Sequence, residues 1–216
     1  MRITKYFFAV LATLAFTTTQ LAAQSGAGKT LTADTQKSSL VWAGKKIGGE
    51  HTGKVSLASG SLQVAQNKLV GGAFDIDMNS ITNTDITDAD YNAKLVGHLK
   101  SDDFFGVEKH PKATFKITKA APITGAKAGA NNYQITGDLT IKGKTETVSF
   151  PAAVKISGNT AEAVAKIEVD RSKFDVRYGS PSFFADLGDK AIDNEFIIDL
   201  RLVTTPVGAT ATTKGN

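Results

Sequence analysis

The side chains able to do chemistry are few and scattered. The chain carries three histidines and no cysteine, with an adjacent acid pair, Asp102-Asp103, and an arginine, Arg171, that ends an alternating segment. His98 lies near enough to Asp102 and Asp103 in sequence to suggest acid–base work, as in a hydrolase using His98 with one of the two carboxylates. Adjacent residues point apart, however, and neither a Gly-x-Ser-x-Gly elbow nor a thiol supplies a nucleophile. His51, His98 and His110 also lack the short spacing of a helical or hairpin metal pair. The expectation is a non-enzymatic protein without a metal or cofactor. His98 is then tied to backbone or to a carboxylate at a helix end, and His110, before Pro111, marks a turn. Arg171 suits either a polar group at the edge of a site or a pairing with Asp170 or Asp193.

One apparent motif is a decoy. Gly26-Ala27-Gly28-Lys29-Thr30 resembles the end of a phosphate-binding loop, but its first glycine position holds Ala23. Such a loop works only between a buried strand and a helix N-terminus, where backbone N–H groups converge on phosphate. The apolar run before it is of another kind. Arg2 and Lys5 precede a short apolar stretch from Tyr6 to Phe16, and Thr17 to Ala23 end in small residues. That is the pattern of a cleaved secretory signal peptide, residues 1–23, and the stretch is too short for a spanning helix.

Removal of Arg2 and Lys5 lowers the count of 25 Lys+Arg to 23 against 21 Asp+Glu. Lysines and acids are interspersed, so nothing tracks a phosphate backbone and nucleic-acid binding is not expected. Without cysteine there is no disulfide, and stability must come from an apolar core.

The elements that must position these residues are strands. Val55 and Leu57, then Phe74, Ile76 and Met78, then Phe115 and Ile117 alternate with polar neighbours. Tyr133 and Ile135, Leu139 and Ile141, Val148 and Phe150, Val154 and Ile156, Ala165, Ile167 and Val169, and Phe196, Ile198, Leu200 and Leu202 repeat the period of two. Turn signals stand at Ser59-Gly60, Gly71-Gly72, Lys142-Gly143-Lys144 and Ser157-Gly158-Asn159, which predicts an antiparallel meander. From Asp88 to Leu99 the spacing of Leu95, Val96 and Leu99 instead predicts one short helix. Residues 24–33 are expected to be a linker, 34–203 a single domain, Gly125 to Ala130 a loose loop and 204–216 a frayed tail.

About eight strands with one oily face either close into a barrel or fold as a sandwich, and a closed barrel of that size is filled by side chains or holds one small ligand. The periodicity alone does not choose.

A resemblance does. His51-Thr52-Gly53, Lys94-Leu95 with His98-Leu99-Lys100-Ser101-Asp102-Asp103-Phe104-Phe105, and Pro111-Lys112-Ala113-Thr114-Phe115 resemble the YceI-like family in order and spacing. So do Gly137-Asp138-Leu139-Thr140-Ile141-Lys142-Gly143-Lys144-Thr145 and Arg171-Ser172-Lys173-Phe174. The block around His98 is the specific part, and the likeness runs from about Asp34 to Val203. It implies an all-β, lipocalin-like antiparallel barrel of about eight strands with one short helix. It also implies an exported, periplasmic or secreted, binding protein that holds a long isoprenoid or acyl lipid in an apolar tunnel for carriage, storage or sequestration. Asp175 departs from the family's Arg-x-x-Phe-Gly pattern, and Arg177 to Asp189, with Phe183 and Phe184, reads as an embellished loop.

Buried hydrocarbon contributes about 0.8 kcal/mol per CH₂, so chain length should govern affinity. The candidate tunnel residues are Val55, Leu57, Phe74, Ile76, Met78, Phe115, Ile117, Leu139, Ile141, Ile167, Val169, Phe196, Ile198 and Leu200. Candidates to meet a head group are His51, His98 and Arg171. Transient membrane contact and a homodimer stay open.

Overall fold

The computed structural model describes residues 28–206. The expected signal peptide and most of the expected tail lie outside them. Nine strands and one α-helix follow in chain order among the described residues: β1 (Lys29–Thr32), β2 (Ser39–Lys46), β3 (Gly49–Ala65), β4 (Lys68–Asn83), α1 (Ala89–Lys100), β5 (Lys112–Pro122), β6 (Tyr133–Ile141), β7 (Lys144–Ser157), β8 (Thr160–Asp170) and β9 (Ile192–Val203). From β2 to β9 each strand pairs antiparallel with the next, and β9 pairs back with β2. The result is a closed eight-stranded up-and-down barrel with one helix, the expected architecture, in which closure removes the exposed sheet edges.

The expected linker is a strand over part of its length. Lys29–Thr32 pairs with Ser61 to Val64 of β3, continuing the line of β2, and Leu31 is completely buried. Its polar neighbours hid a single inward residue. The expected tail also starts late: Thr204 is buried and its hydroxyl accepts the Ala161 N–H at 2.7 Å.

Two of the expected turns lie inside strands. Gly60 is paired with Phe74, and Gly72 with Leu62. A Cβ on Gly60 would stand 2.3 Å from the Phe74 ring, so this glycine makes room for an aromatic side chain. The β3–β4 reversal is made instead by Gln66 and Asn67, with φ of 50° and 57°, the twist that a two-residue hairpin needs. Register shifts within the β3–β4 pair turn the inward phase from Val55 and Leu57 to Leu62 and Val64, so long strands coil around the barrel without exposing their apolar side.

The His-x-Gly motif has a steric explanation. A Cβ on Gly53 would lie 1.9 Å from the Thr82 carbonyl oxygen and 2.5 Å from the Trp42 ring, whose Nε1 donates to that same oxygen at 3.0 Å. Gly53→Ala is expected to destabilise the barrel by about 3 kcal/mol, the upper range of overpacking, read as a lower urea midpoint at unchanged m-value.

The helix begins where Asp88 accepts the Asp90 and Tyr91 N–H groups, and ends where the Ser101 N–H reaches the Gly97 and His98 carbonyls. Residues beyond it pack across part of that end of the barrel. Phe104 and Val107 are buried and Gly106 takes φ +55°; the Gly106 N–H bonds the Ser101 carbonyl at 2.8 Å. The family-like block is therefore the helix terminus and a partial cover of one barrel end. Past β8, Arg171–Phe174 forms a short 3₁₀ turn that ends at Asp175. With φ +61°, Asp175 occupies a left-handed position that favours glycine, which is where the chain departs from the family pattern.

Candidate functional site

Two groups of packed side chains lie toward the two barrel ends. Leu31, Leu62 and Val64 belong to the group far from α1, while Phe104, Val107, Phe174 and Val176 belong to the group beside it; Leu40 and Ile167 touch both. Between them lies a cavity of about 270 Å³. Phe74, Phe115, Leu139, Phe196, Ile198 and Leu200 face it and are only partly buried. A barrel filled to protein packing density would seal such residues. Every tunnel candidate named from the sequence lines this cavity. Lining residues not found from the sequence include Leu40, Trp42 and Ala113. Leu40 and Trp42 do alternate, but a short strand ending in glycine and lysines gives a weak signal, and alanines barely register as apolar.

The cavity is polar at one end only. Among its lining residues, Lys45, Lys46, His51, Arg171, Asp193 and Glu195 are the ionisable ones. They come from the end of β2, the start of β3 and the region where β8 gives way to β9, all on the helix side, where Leu95 and Leu99 of α1 also line the opening.

The three head-group candidates have different surroundings. His51 lies in phase with Gly53 and Val55, so it faces inward, and its Nδ1 is 2.8 Å from Asp85 Oδ2. Asp85 also accepts the Thr52 N–H at 2.7 Å and Asn83 Nδ2 at 2.6 Å. Burial opposes ionisation of Asp85, but the bonds from His51, the Thr52 N–H and Asn83 outweigh it and hold the carboxyl below its usual range. Asn83, itself buried, receives Asn92 Nδ2 of α1 at 3.2 Å, which ties the helix to this network. Asp85, Asn83 and Asn92 were not found from the sequence; their only trace was an unusual density of Asn, Thr and Asp at the exit of β4.

The depressed carboxyl has a direction in pH. Its contribution to stability is complete above the unfolded carboxylate range and is lost as pH falls through the lower folded value. Asp85→Asn is therefore expected to flatten the loss of stability below about pH 4 in urea titrations, with little change in its pH dependence at neutrality.

His98 does not line the cavity. Its ring sits edge-on to Tyr178 and Phe104, with centroids 4.3 and 5.2 Å away, and its Nε2 is 4.0 Å from Asp103 Oδ2, too far for a hydrogen bond. Its place is a clamp between the helix end and the loop that follows the 3₁₀ turn. Asp102 pairs instead with Lys109, whose ammonium holds the carboxyl below its usual range. His110 does mark a turn, as its N–H bonds the Gly106 carbonyl at 2.9 Å.

Arg171 bonds main-chain carbonyls rather than the side chains of Asp170 or Asp193. It lines the cavity but is only 3 % exposed, and its donors go to main-chain carbonyls. Nε reaches Asp193, Nη1 reaches Val176 and Tyr178, and Nη2 reaches Ile192, each at 2.9 Å. Asp193 is thus met through its backbone, and the Asp170 side chain caps the 3₁₀ turn instead. Burial lowers the Arg171 pKa, opposed by Asp170 and Asp193; arginine remains charged in either case. Its planar fork suits this role because loop carbonyls lack partners in regular structure.

A closed eight-stranded barrel with a carbon-lined interior belongs to the class of up-and-down β-barrels whose size leaves room for one small ligand. Within that class, the chain belongs to the YceI-like family, whose domain model matches residues 31–204. It is 30% identical over 122 residues to a UPF0312 protein of Pectobacterium atrosepticum, covering 56% of this chain and 59% of that one. A second UPF0312 protein, from Photorhabdus laumondii, is 30% identical over 103 residues and half its length is covered. The chain thus spans about half the length of the curated relatives it matches. Among solved structures, Burkholderia cenocepacia BcnA is similar with a TM-score of 0.60 and 29% identity, over 80% of this chain and 99% of that one. A polyisoprenoid binding domain from Saccharophagus degradans has a TM-score of 0.57 over 82% of this chain and 99% of its own, but at 16% identity it shows the fold alone.

Proposed function

We propose that this chain is an exported, non-enzymatic binding protein that holds one long isoprenoid or acyl lipid in the barrel cavity. The observation that carries the reading is the carbon-lined cavity, whose inward side chains are only partly buried. Membership of the YceI-like family supports it, as does the binding of polyisoprenoid by the Saccharophagus degradans domain of like fold. Its dimensions fit as well: the 11 residues of β8 extend about 36 Å, which a strand tilt of about 40° reduces to a barrel height of about 28 Å. That is close to the hydrocarbon thickness of a bilayer. The basic, apolar and small-residue order of Arg2 to Ala23 supports export to the periplasm or beyond.

A length series tests the reading. Each isoprene unit buries about five carbons, worth about 4 kcal/mol gross before the cost of ordering the chain. Prenols of two to six units should gain at least about tenfold in affinity per unit until the tunnel is full, and then level off. Affinity independent of length would contradict a tunnel.

A further inference from the structure

The reading of the cavity as a lipid tunnel leaves open what its polar end recognises, and the inference here rests on that reading. We infer that His51, held by Asp85, is the anchor for an uncharged hydroxyl head group, as on a prenol or phenol, whose hydrocarbon tail runs toward Leu62, Leu69 and Leu202.

Direction comes first. The lining is ionisable only on the helix side, whereas its far end includes Leu62, Leu69 and Leu202, exposed by 2%, 3% and 2%. An amphipathic ligand therefore enters with its polar end at His51. Orientation comes next. Asp85 accepts from the Thr52 N–H and Asn83 Nδ2 through Oδ1, leaving Oδ2 to meet His51 Nδ1 at 2.8 Å. A carboxylate can only accept, so Nδ1 carries the proton and, in the neutral ring, Nε2 presents a lone pair. That lone pair takes an O–H.

Space and charge agree with this. Gly44 is paired with His51 across β2 and β3, and a Cβ there would meet nothing within 4 Å, so there is open volume beside the imidazole. The charges of this lining nearly cancel, Lys45, Lys46 and Arg171 standing against Asp193 and Glu195, and Arg171 already bonds main-chain carbonyls, so little net charge faces an anionic head.

The test compares geranylgeraniol, its methyl ether and its monophosphate by fluorescence titration of the mature protein. The ether keeps the chain and loses only the O–H, so the alcohol should bind about fivefold tighter, the range of one neutral hydrogen bond. In His51→Leu that ratio should fall to about one. Gly44→Val, which fills the space beside the ring and leaves the His51–Asp85 pair in place, should lower the ratio as well and covers the case in which His51→Leu does not fold. Equal binding of alcohol and ether by the parent, or a ratio that survives in His51→Leu, would overturn the assignment while leaving the tunnel intact. Monophosphate binding more than tenfold tighter than alcohol would overturn it in favour of the lysines. Binding of none of the three would remove the lipid reading itself.

Discussion

Ala165→Trp is expected to lower affinity for a long prenol at least 100-fold while the barrel stays folded. Ala165 lines the cavity and is paired with Ala152 of β7 and Leu200 of β9, about midway along β8. Small side chains here, together with Ala163, leave the room that a hydrocarbon chain would use. An indole in that volume denies the ligand the far half of the tunnel, about ten carbons and about 8 kcal/mol of gross transfer free energy. Even one third of that, about 2.7 kcal/mol, is a factor of about 100. Because the indole enters space rather than packed atoms, the stability cost should stay within about 2 kcal/mol. A short prenol that occupies only the helix-side half should bind the variant nearly as it binds the parent. Unchanged affinity for long chains would mean that ligand does not reach Ala165.

Arg171→Met has the largest expected effect on stability. The substitution keeps much of the side-chain volume but leaves the carbonyls of Val176, Tyr178, Ile192 and Asp193 without the donors that now meet them. It also removes the guanidinium placed 5.6 Å from the Phe104 ring centroid. Unpartnered buried polar groups cost about 1–3 kcal/mol each, less wherever water enters, so a loss of about 3–5 kcal/mol in urea unfolding is expected. Arg171→Lys should recover less than half, since a single ammonium cannot span carbonyls on both sides of the loop. The loop between Asp175 and Ala191 should become the first site of proteolysis in both variants. The preference between charged and neutral lipid heads should not change; a change would return Arg171 to head-group recognition.

Much of this was legible because a barrel repeats one simple rule. Strands such as β8, with Ala165, Ile167 and Val169 in phase, show their inward face directly, and the helix was visible in the spacing of Leu95, Val96 and Leu99. Legibility failed where the rule is interrupted. The phase change along β3 hid Leu62 and Val64, and Gly60 and Gly72 read as turns because a glycine that makes room for a close neighbour in a sheet has the same letter as one that turns a chain. The polar end was harder still. Asp85 meets His51, and Asn83 meets the Thr52 carbonyl, across separations of more than 30 residues, and the four carbonyls that engage Arg171 belong to residues whose side chains give no hint of them.

Mass spectrometry of organic extracts from the protein purified out of its native source, beside a matched control protein, would show the ligand itself. One isoprenoid or acyl chain per barrel is expected, enriched over the control and absent from Ala165→Trp. A parent protein that comes out empty, and that takes up no added prenol or quinone, would contradict a lipid-holding barrel.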